Sequence, residues 1–360
     1  MILSLKRKNT LHRRLVFAFP ARRNFKENPY NFLFSEAMEK VGWRVVDPGM
    51  LDTFFGRPDI IHVHWPQQVA TAAGFAFVRR TLAFVTMLTI QKARGAKLVW
   101  TAHNIQSHSG NRRLLEKVVM SYFVWLLDGV IYLTATAEKD ARVKFPRIRN
   151  VSSCQIPHGL YGDVYPPSAS PEKAREQFGI GSNVRVVSFI GDVKPYKGLD
   201  QLLDCVAGSL PDYDVLIAGK IPDDTYGRSI RDRIEIIRRS NCNIHVFDQR
   251  LSDKELVDAI AASTIVALPY LTESTSGMAM LVAERGCDII TLQSDAFSEL
   301  NGQLGGEGVV QVKSLTASAL LQAIASPENN VGKHARVLNL SSANAWSIIA
   351  DKVDRFYKSL

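Results

Sequence analysis

The sequence predicts an α/β protein of two doubly wound, Rossmann-like domains, and three observations carry that prediction. Short apolar runs alternate with segments of helical period along most of the chain, the pattern of parallel strands joined by crossover helices. The 360 residues exceed what one hydrophobic core usually serves. The alternation also breaks once, near Pro166-Pro167, and then starts again.

The elements follow in order. Leu15–Phe19 is an apolar run ending at Pro20 and reads as a first buried strand. Apolar residues at helical spacing over 32–41 stop at Gly42, and residues 43–46 form a second strand. Ile60–Val63 is a third, running into His64-Trp65-Pro66. A long helix over 75–94 meets Gly95, where a C-cap belongs. Strands over 98–101 and 129–133 then flank a helix over 114–127. Beyond a linker at Ser168-Ala-Ser-Pro171, strands are expected at 185–190, Asp214–Ala218, Ile244–Phe247, Ile265–Leu268 and Asp288–Leu292. Helices are expected at 198–210, 226–240, Asp253–Ala262 behind a Ser252 cap, and 278–286. Residues 345–360 are amphipathic, with Trp346, Ile349, Val353, Phe356 and Tyr357 on one face, and are expected to pack back across the junction. The resulting boundaries are 1–166 for the first domain, 167–335 for the second and 336–360 for the closing helical segment.

A net charge of +9, with Arg22-Arg23, Arg79-Arg80 and Arg112-Arg113 all in the first third, points to an anionic partner. Nucleic acid is set aside, because the basic residues are not interleaved with aromatics on one element. An anionic membrane surface and a phosphorylated substrate remain. No apolar stretch reaches the roughly 20 residues needed to span a bilayer, and no secretory leader is evident, so a cytoplasmic protein is expected. The 4 cysteines form no CxxC pair and have no zinc spacing, so they read as small buried hydrophobes in a reducing compartment. A nicotinamide oxidoreductase is disfavoured because no GxGxxG follows a strand.

Five constellations carry chemistry. In Phe189-Ile-Gly191-Asp-Val-Lys194-Pro-Tyr-Lys197-Gly198 an apolar strand ends in a glycine, and a loop with two lysines opens a helix. Free backbone N–H groups, the helix N-terminus and two ammonium groups suit a phosphate. The alternative is an ordinary loop with solvated lysines. In Pro269-Tyr-Leu-Thr-Glu273-Ser-Thr275-Ser276-Gly277 the same design recurs, Ser276 or Thr275 serving as a phosphate donor or a plain N-cap. The two loops are expected on one edge of one sheet. Trp100-Thr-Ala-His103-Asn104 and His62-Val-His64-Trp-Pro66 sit at strand ends of the first domain, where imidazoles are placed for general-base work, a metal reading of HxH being the lesser alternative. Pro157-His158-Gly159 precedes the linker and faces the expected cleft. Arg23, Asn28 and Tyr30, after the first strand, form a candidate acceptor-binding loop.

These landmarks, in this order, resemble the GT-B superfamily of nucleotide-sugar glycosyltransferases over nearly the whole chain. They look closest to bacterial exopolysaccharide enzymes that transfer mannose from GDP-mannose to a lipid-diphosphate oligosaccharide. The resemblance implies two Rossmann-like domains facing a cleft, the second holding the nucleotide sugar and the first the acceptor, with a final helix crossing back. It implies Gly191, Lys194, Lys197, Glu273, Thr275, Ser276 and Gly277 as donor-binding residues. From the constellations above, His103 is the first candidate for base or sugar contact, with His64 and His158 behind it, and Arg23, Asn28, Tyr30, His64, Asn104, His158 and Gly159 are expected toward the acceptor or cleft. No cofactor or metal is expected, and the enzyme is expected at the inner face of the plasma membrane. A UDP-hexose-dependent transferase and a ligand-binding protein without catalysis are the alternatives. Two departures bear on mechanism. Asp192 stands where retaining members carry an arginine, and Leu281 stands eight residues after Glu273, where they carry a second glutamate, Glu284 lying three positions further on. Lys194 is placed to supply the charge missing at Asp192, and the lack of the glutamate pair favours an inverting displacement.

Overall fold

A computed structural model describes residues 14–26, 28–66, 74–103, 113–207, 212–240, 243–271, 276–325 and 330–360. The chain divides into two compact units, Met1–Gly159 with Trp346–Leu360, and Leu160–Ala345.

The first unit runs β1 (Leu15–Phe19), α1 (Tyr30–Lys40), β2 (Arg44–Val46), α2 (Met50–Phe55), β3 (Ile60–Val63), α3 (Gly74–Ala93), β4 (Lys97–Ala102), α4 (Arg113–Leu126), β5 (Gly129–Tyr132), α5 (Ala135–Lys144) and β6 (Ser152–Gln155). Its sheet is wholly parallel, in the order β2-β1-β3-β4-β5-β6. Successive side chains of a strand face opposite ways, so the unit has two cores. Ile60, Val99 and Ile131 pack with Phe34, Met38 and Trp43 under α1. Ile61, Leu98 and Trp100 pack with Met87, Leu88 and Phe123 under α3 and α4. A fully buried side chain of this size contributes about 1.5–3 kcal/mol. The chain leaves β1 toward β2 on one side and returns to β3 on the other, so the topological switch point lies between β1 and β3.

The second unit runs α6 (Pro171–Gln177), β7 (Val186–Ile190), α7 (Leu199–Ala207), β8 (Asp214–Ala218), α8 (Thr225–Arg239), β9 (Ile244–Phe247), α9 (Asp253–Ala262), β10 (Ile265–Leu268), α10 (Gly277–Glu284), β11 (Asp288–Leu292), α11 (Asp295–Gln303), β12 (Val309–Val312), α12 (Ala317–Ala325) and α13 (Asn330–Asn344). Its sheet is also parallel, ordered β12-β11-β10-β7-β8-β9, with the switch point between β7 and β10. The closing helix, α14 (Trp346–Ser359), belongs to the first unit. Ile349, Val353, Phe356 and Tyr357 complete the core under α1, and the Trp43 Nε1–H donates to Asp354 Oδ1 at 2.9 Å.

Two expected boundaries fall inside the second unit. The break lies at Gly159, not 166, because Glu284 draws residues 161 and 162 into the second unit by accepting from both backbone N–H groups. Residues 336–344 end α13, which packs against α10 and α11 rather than joining the closing segment. The strands that periodicity passed over, β6 and β12, are both sheet edges. Ser152-Ser-Cys-Gln155 in β6 has no buried residue and therefore no apolar signature. Among the described cysteines, Cys154, Cys205 and Cys287 are free thiols that are half-buried rather than fully enclosed. Burial pushes the first two up, to about 12 and about 11, so they stay protonated.

Candidate functional site

In the second unit both phosphate-type loops leave neighbouring parallel strands, β7 and β10, at their carboxyl ends. They are stitched together there. The Leu271 N–H donates to the Tyr196 carbonyl at 2.9 Å. Gly198 takes φ 69°, and a Cβ on it would stand 2.2 Å from the Pro269 carbonyl oxygen. Gly191 takes φ 100°, and a Cβ there would lie 3.3 Å from the Lys197 Nζ and 3.5 Å from the Met278 Cε. The Lys197 ammonium therefore lies close over the strand end, beside the first turn of α10. Pro195–Lys197 forms a short 3-10 turn ahead of α7. Lys194 and Asp192 are exposed on the same loop.

Ser276 is the N-cap of α10, its Oγ accepting from the Ala279 N–H at 3.1 Å. Gly277 has a steric reason to be glycine, since a Cβ would meet the Tyr161 hydroxyl at 2.4 Å. Glu273 and Thr275 lie outside the described residues, as does Asn104. Glu284 is engaged elsewhere: its two carboxylate oxygens accept from the N–H groups of Tyr161 and Gly162 at 2.8 and 2.7 Å.

In the first unit the histidines of β3 and β4 converge as their strand positions predict. His64 Nδ1 and His103 Nε2 are 3.2 Å apart, one donating to the other. His62 has both ring nitrogens engaged, Nε2 with the Thr101 hydroxyl at 2.7 Å and Nδ1 with the Tyr357 hydroxyl at 2.6 Å. It is therefore a structural residue, which disfavours the metal reading of the HxH pair. His158 donates its Nδ1–H to the Gly159 carbonyl at 2.7 Å. The His64 Nε2 is buried with no hydrogen-bond partner among the described residues.

Burial decides the charge of this cluster. Desolvation, with the neighbouring imidazoles second, holds His62 down to about 3 and His64 and His103 well below the ordinary histidine range. Desolvation, opposed by the bond to Gly159, holds His158 at about 4. All four are neutral at pH 7, and the burial that keeps them so opposes proton uptake by any of them until a ligand or acceptor changes the surroundings.

Tyr30 is not a surface acceptor contact. It is buried at the centre of the cluster, 4.7 Å from the rings of both His103 and His158 and 5.4 Å from Trp346. Asn28 holds the turn before it, its Oδ1 accepting from the Tyr30 N–H at 3.0 Å. Gly159 is pressed against Trp346, where a Cβ would come within 2.4 Å of the indole. Arg22 is bound by Glu36 and Glu39, whereas Arg23 projects outward and reaches the Pro48 carbonyl at 3.1 Å. Sequence reasoning passed over Trp65, whose ring stacks on His103 at 4.7 Å and 24°. Its signal was present in the His64-Trp65-Pro66 run. Trp65 also walls a cavity of about 650 Å³ that opens where β1 and β3 diverge.

No protein-family profile matches the chain. The chain is 22% identical over 303 residues to a GDP-mannose:glycolipid 4-beta-D-mannosyltransferase of Xanthomonas campestris pv. campestris, covering 83% of this chain and 79% of that protein. It is 31% identical over 140 residues to a D-inositol 3-phosphate glycosyltransferase of Corynebacterium glutamicum, covering 36% of this chain and 32% of that protein. Among solved structures it is similar to Anabaena HepE in complex with UDP and glucose, with a TM-score of 0.68 at 16% identity, covering 97% of this chain and all of that one (100%). A sucrose-phosphate synthase of Thermosynechococcus elongatus aligns with a TM-score of 0.64 at 17% identity, over 94% of this chain and 79% of that chain. The fold is GT-B, and the proteins that this chain resembles are glycosyltransferases.

Proposed function

We propose that the chain moves mannose from GDP-mannose to a lipid-diphosphate-linked oligosaccharide in exopolysaccharide synthesis, working peripherally at the inner face of the plasma membrane. The observation that carries the donor half is the pairing of two phosphate-type loops at one switch point, with the Lys197 ammonium over Gly191. Lys194, Lys197 and the Ser276-Gly277 turn stabilise the charge that grows on the leaving diphosphate. Mannose and the glycolipid acceptor are supported by the Xanthomonas relative. The HepE complexes favour a second reading, a UDP-hexose donor.

The reaction is an inverting displacement. The acceptor hydroxyl attacks the anomeric carbon as the diphosphate departs, through a transition state resembling an oxocarbenium ion. Neutral His103, held by His64 and stacked on Trp65, is the candidate base for that hydroxyl proton. Among the described residues no helix is long and apolar enough to cross a membrane. Attachment would rest on the basic first unit, each surface Lys or Arg contributing about 1 kcal/mol toward anionic lipid.

The test is donor binding and hydrolysis with GDP-mannose, UDP-glucose, UDP-galactose and UDP-glucuronate, with and without EDTA. One preferred donor, insensitive to EDTA, is expected. Preference for a UDP-hexose replaces mannose by the second reading, and hydrolysis abolished by EDTA overturns the metal-free mechanism.

A further inference from the structure

The cavity of about 650 Å³ in the first unit has a volume typical of a small-molecule site. Its position is the one at which open α/β sheets bind ligands. Phe19 ends β1 and Pro20 follows it, Val63 ends β3 and Trp65 lies just beyond, and the switch point lies between those strands. Its body is apolar, walled by Phe54, Trp65, Phe84 and Met87. A sugar site would instead present many hydrogen-bonding groups.

Two arginines, Arg23 and Arg80, stand at its lining. Arg23 is partly engaged, by backbone carbonyls and by the Asp47 carboxylate at 4.0 Å. Arg80 is exposed and makes no hydrogen bond or ion pair among the described residues. Asp47 also lines the cavity, its carboxylate accepting from the N–H groups of Ala21 and Arg22 at 2.8 and 2.6 Å and facing the Arg23 guanidinium, so Arg80 is the cation left for a ligand. The two helices that line the cavity also carry exposed apolar side chains, Met50 and Phe55 on α2 (79% and 74% exposed) and Leu82 on α3 (61%).

An apolar chamber with a cation at its lining and apolar residues on its flanking helices matches one chemistry. We propose that this cavity receives the hydrocarbon chain of a phosphorylated amphiphile, with Arg80 on the phosphate. The assignment rests on the glycosyltransferase reading, in which that amphiphile is the lipid end of the acceptor. Trp65 connects the two functions, one ring lining the cavity and stacking on His103. An occupied cavity would fix Trp65, and with it the distance from lipid anchor to base.

The experiment uses geranyl diphosphate as the probe, with inorganic pyrophosphate and geraniol as controls, read by calorimetry and by indole fluorescence on the full chain. Geranyl diphosphate is expected to bind, and each control to bind at least about tenfold more weakly, since each lacks one of the two contacts. Ala83→Trp, at an exposed cavity-lining position, fills the chamber and is expected to weaken binding at least about tenfold. Arg80→Gln is expected to weaken geranyl diphosphate about three- to tenfold and to leave geraniol unchanged. Equal binding of pyrophosphate in a Lys194→Ala, Lys197→Ala background, which removes the lysines of the donor loop, overturns the proposal. So does unchanged affinity in an Ala83→Trp protein that melts like the unmodified chain. Should Ala83→Trp not fold, unchanged affinity in the Arg80→Gln variant overturns it instead. Donor hydrolysis by the unmodified chain is read in parallel. Its absence overturns the glycosyltransferase reading, whereas hydrolysis without geranyl diphosphate binding overturns the cavity assignment alone.

Discussion

At the scale of single residues, glycine and lysine act as a pair. Gly191 supplies the left-handed backbone at φ 100°, and the Lys197 ammonium lies close over it. Lys197→Ala removes a charge-assisted hydrogen bond, of about 1.5–3 kcal/mol. Donor affinity measured by calorimetry is therefore expected to fall by roughly 10- to 150-fold, with Lys197→Arg restoring part of it. His103→Ala tests a different step. Turnover is expected to drop about 10²- to 10⁴-fold with donor affinity unchanged. A variant that keeps most of its turnover would remove His103 as the base. The placement of Lys197 and His103 beyond strand ends was legible in the sequence, since each follows an apolar run. The engagement of Glu284 was not, because it depends on two backbone N–H groups more than 100 positions away.

At the scale of elements, α14 is the piece whose role needed the fold. Its amphipathic face was plain in Trp346, Ile349, Val353, Phe356 and Tyr357. What it covers was not. It lies on the α1 side of the first sheet, Trp346 against Gly159 and Tyr357 hydrogen-bonded to His62. Gly159→Ala pushes a methyl group into the indole, and overpacking of this kind costs about 1–3 kcal/mol. Urea unfolding should show that loss. Tyr357→Phe leaves the buried His62 Nδ1 without its partner, at about 1–3 kcal/mol. In a double-mutant cycle, Tyr357→Phe with His62→Phe should cost less than the sum of the two single changes.

At the scale of the whole molecule, the buried imidazoles couple stability to pH. His62, His64, His103 and His158 are all neutral in the folded chain, with two held at about 3 and about 4. The unfolded chain binds their protons near 6.5, so below that pH it carries more protons than the folded chain. Stability therefore rises with pH in this window and falls as pH drops from 6.5 toward 4. Each histidine still neutral costs about 1.4 kcal/mol per pH unit. Melting curves between pH 7.5 and 4.5 should show the decline. A His158→Asn variant should decline less steeply, and equal slopes would remove His158 from the account.

The sequence by itself determined the class of fold and the ends of the strands that bear chemistry. Both are written in local periodicity and in the residues that interrupt it: apolar runs make buried parallel strands, and glycine, proline and lysine mark where they stop. Tertiary structure alone decided which of those ends meet. Strand order placed β7 beside β10 and β1 beside β3, and so created both switch points. It also turned Tyr30 inward, tied His62 to Tyr357, and set Trp65 between His103 and a cavity. These contacts join residues tens to hundreds of positions apart. They depend on how the sheets are ordered in space, which no local pattern in the chain encodes.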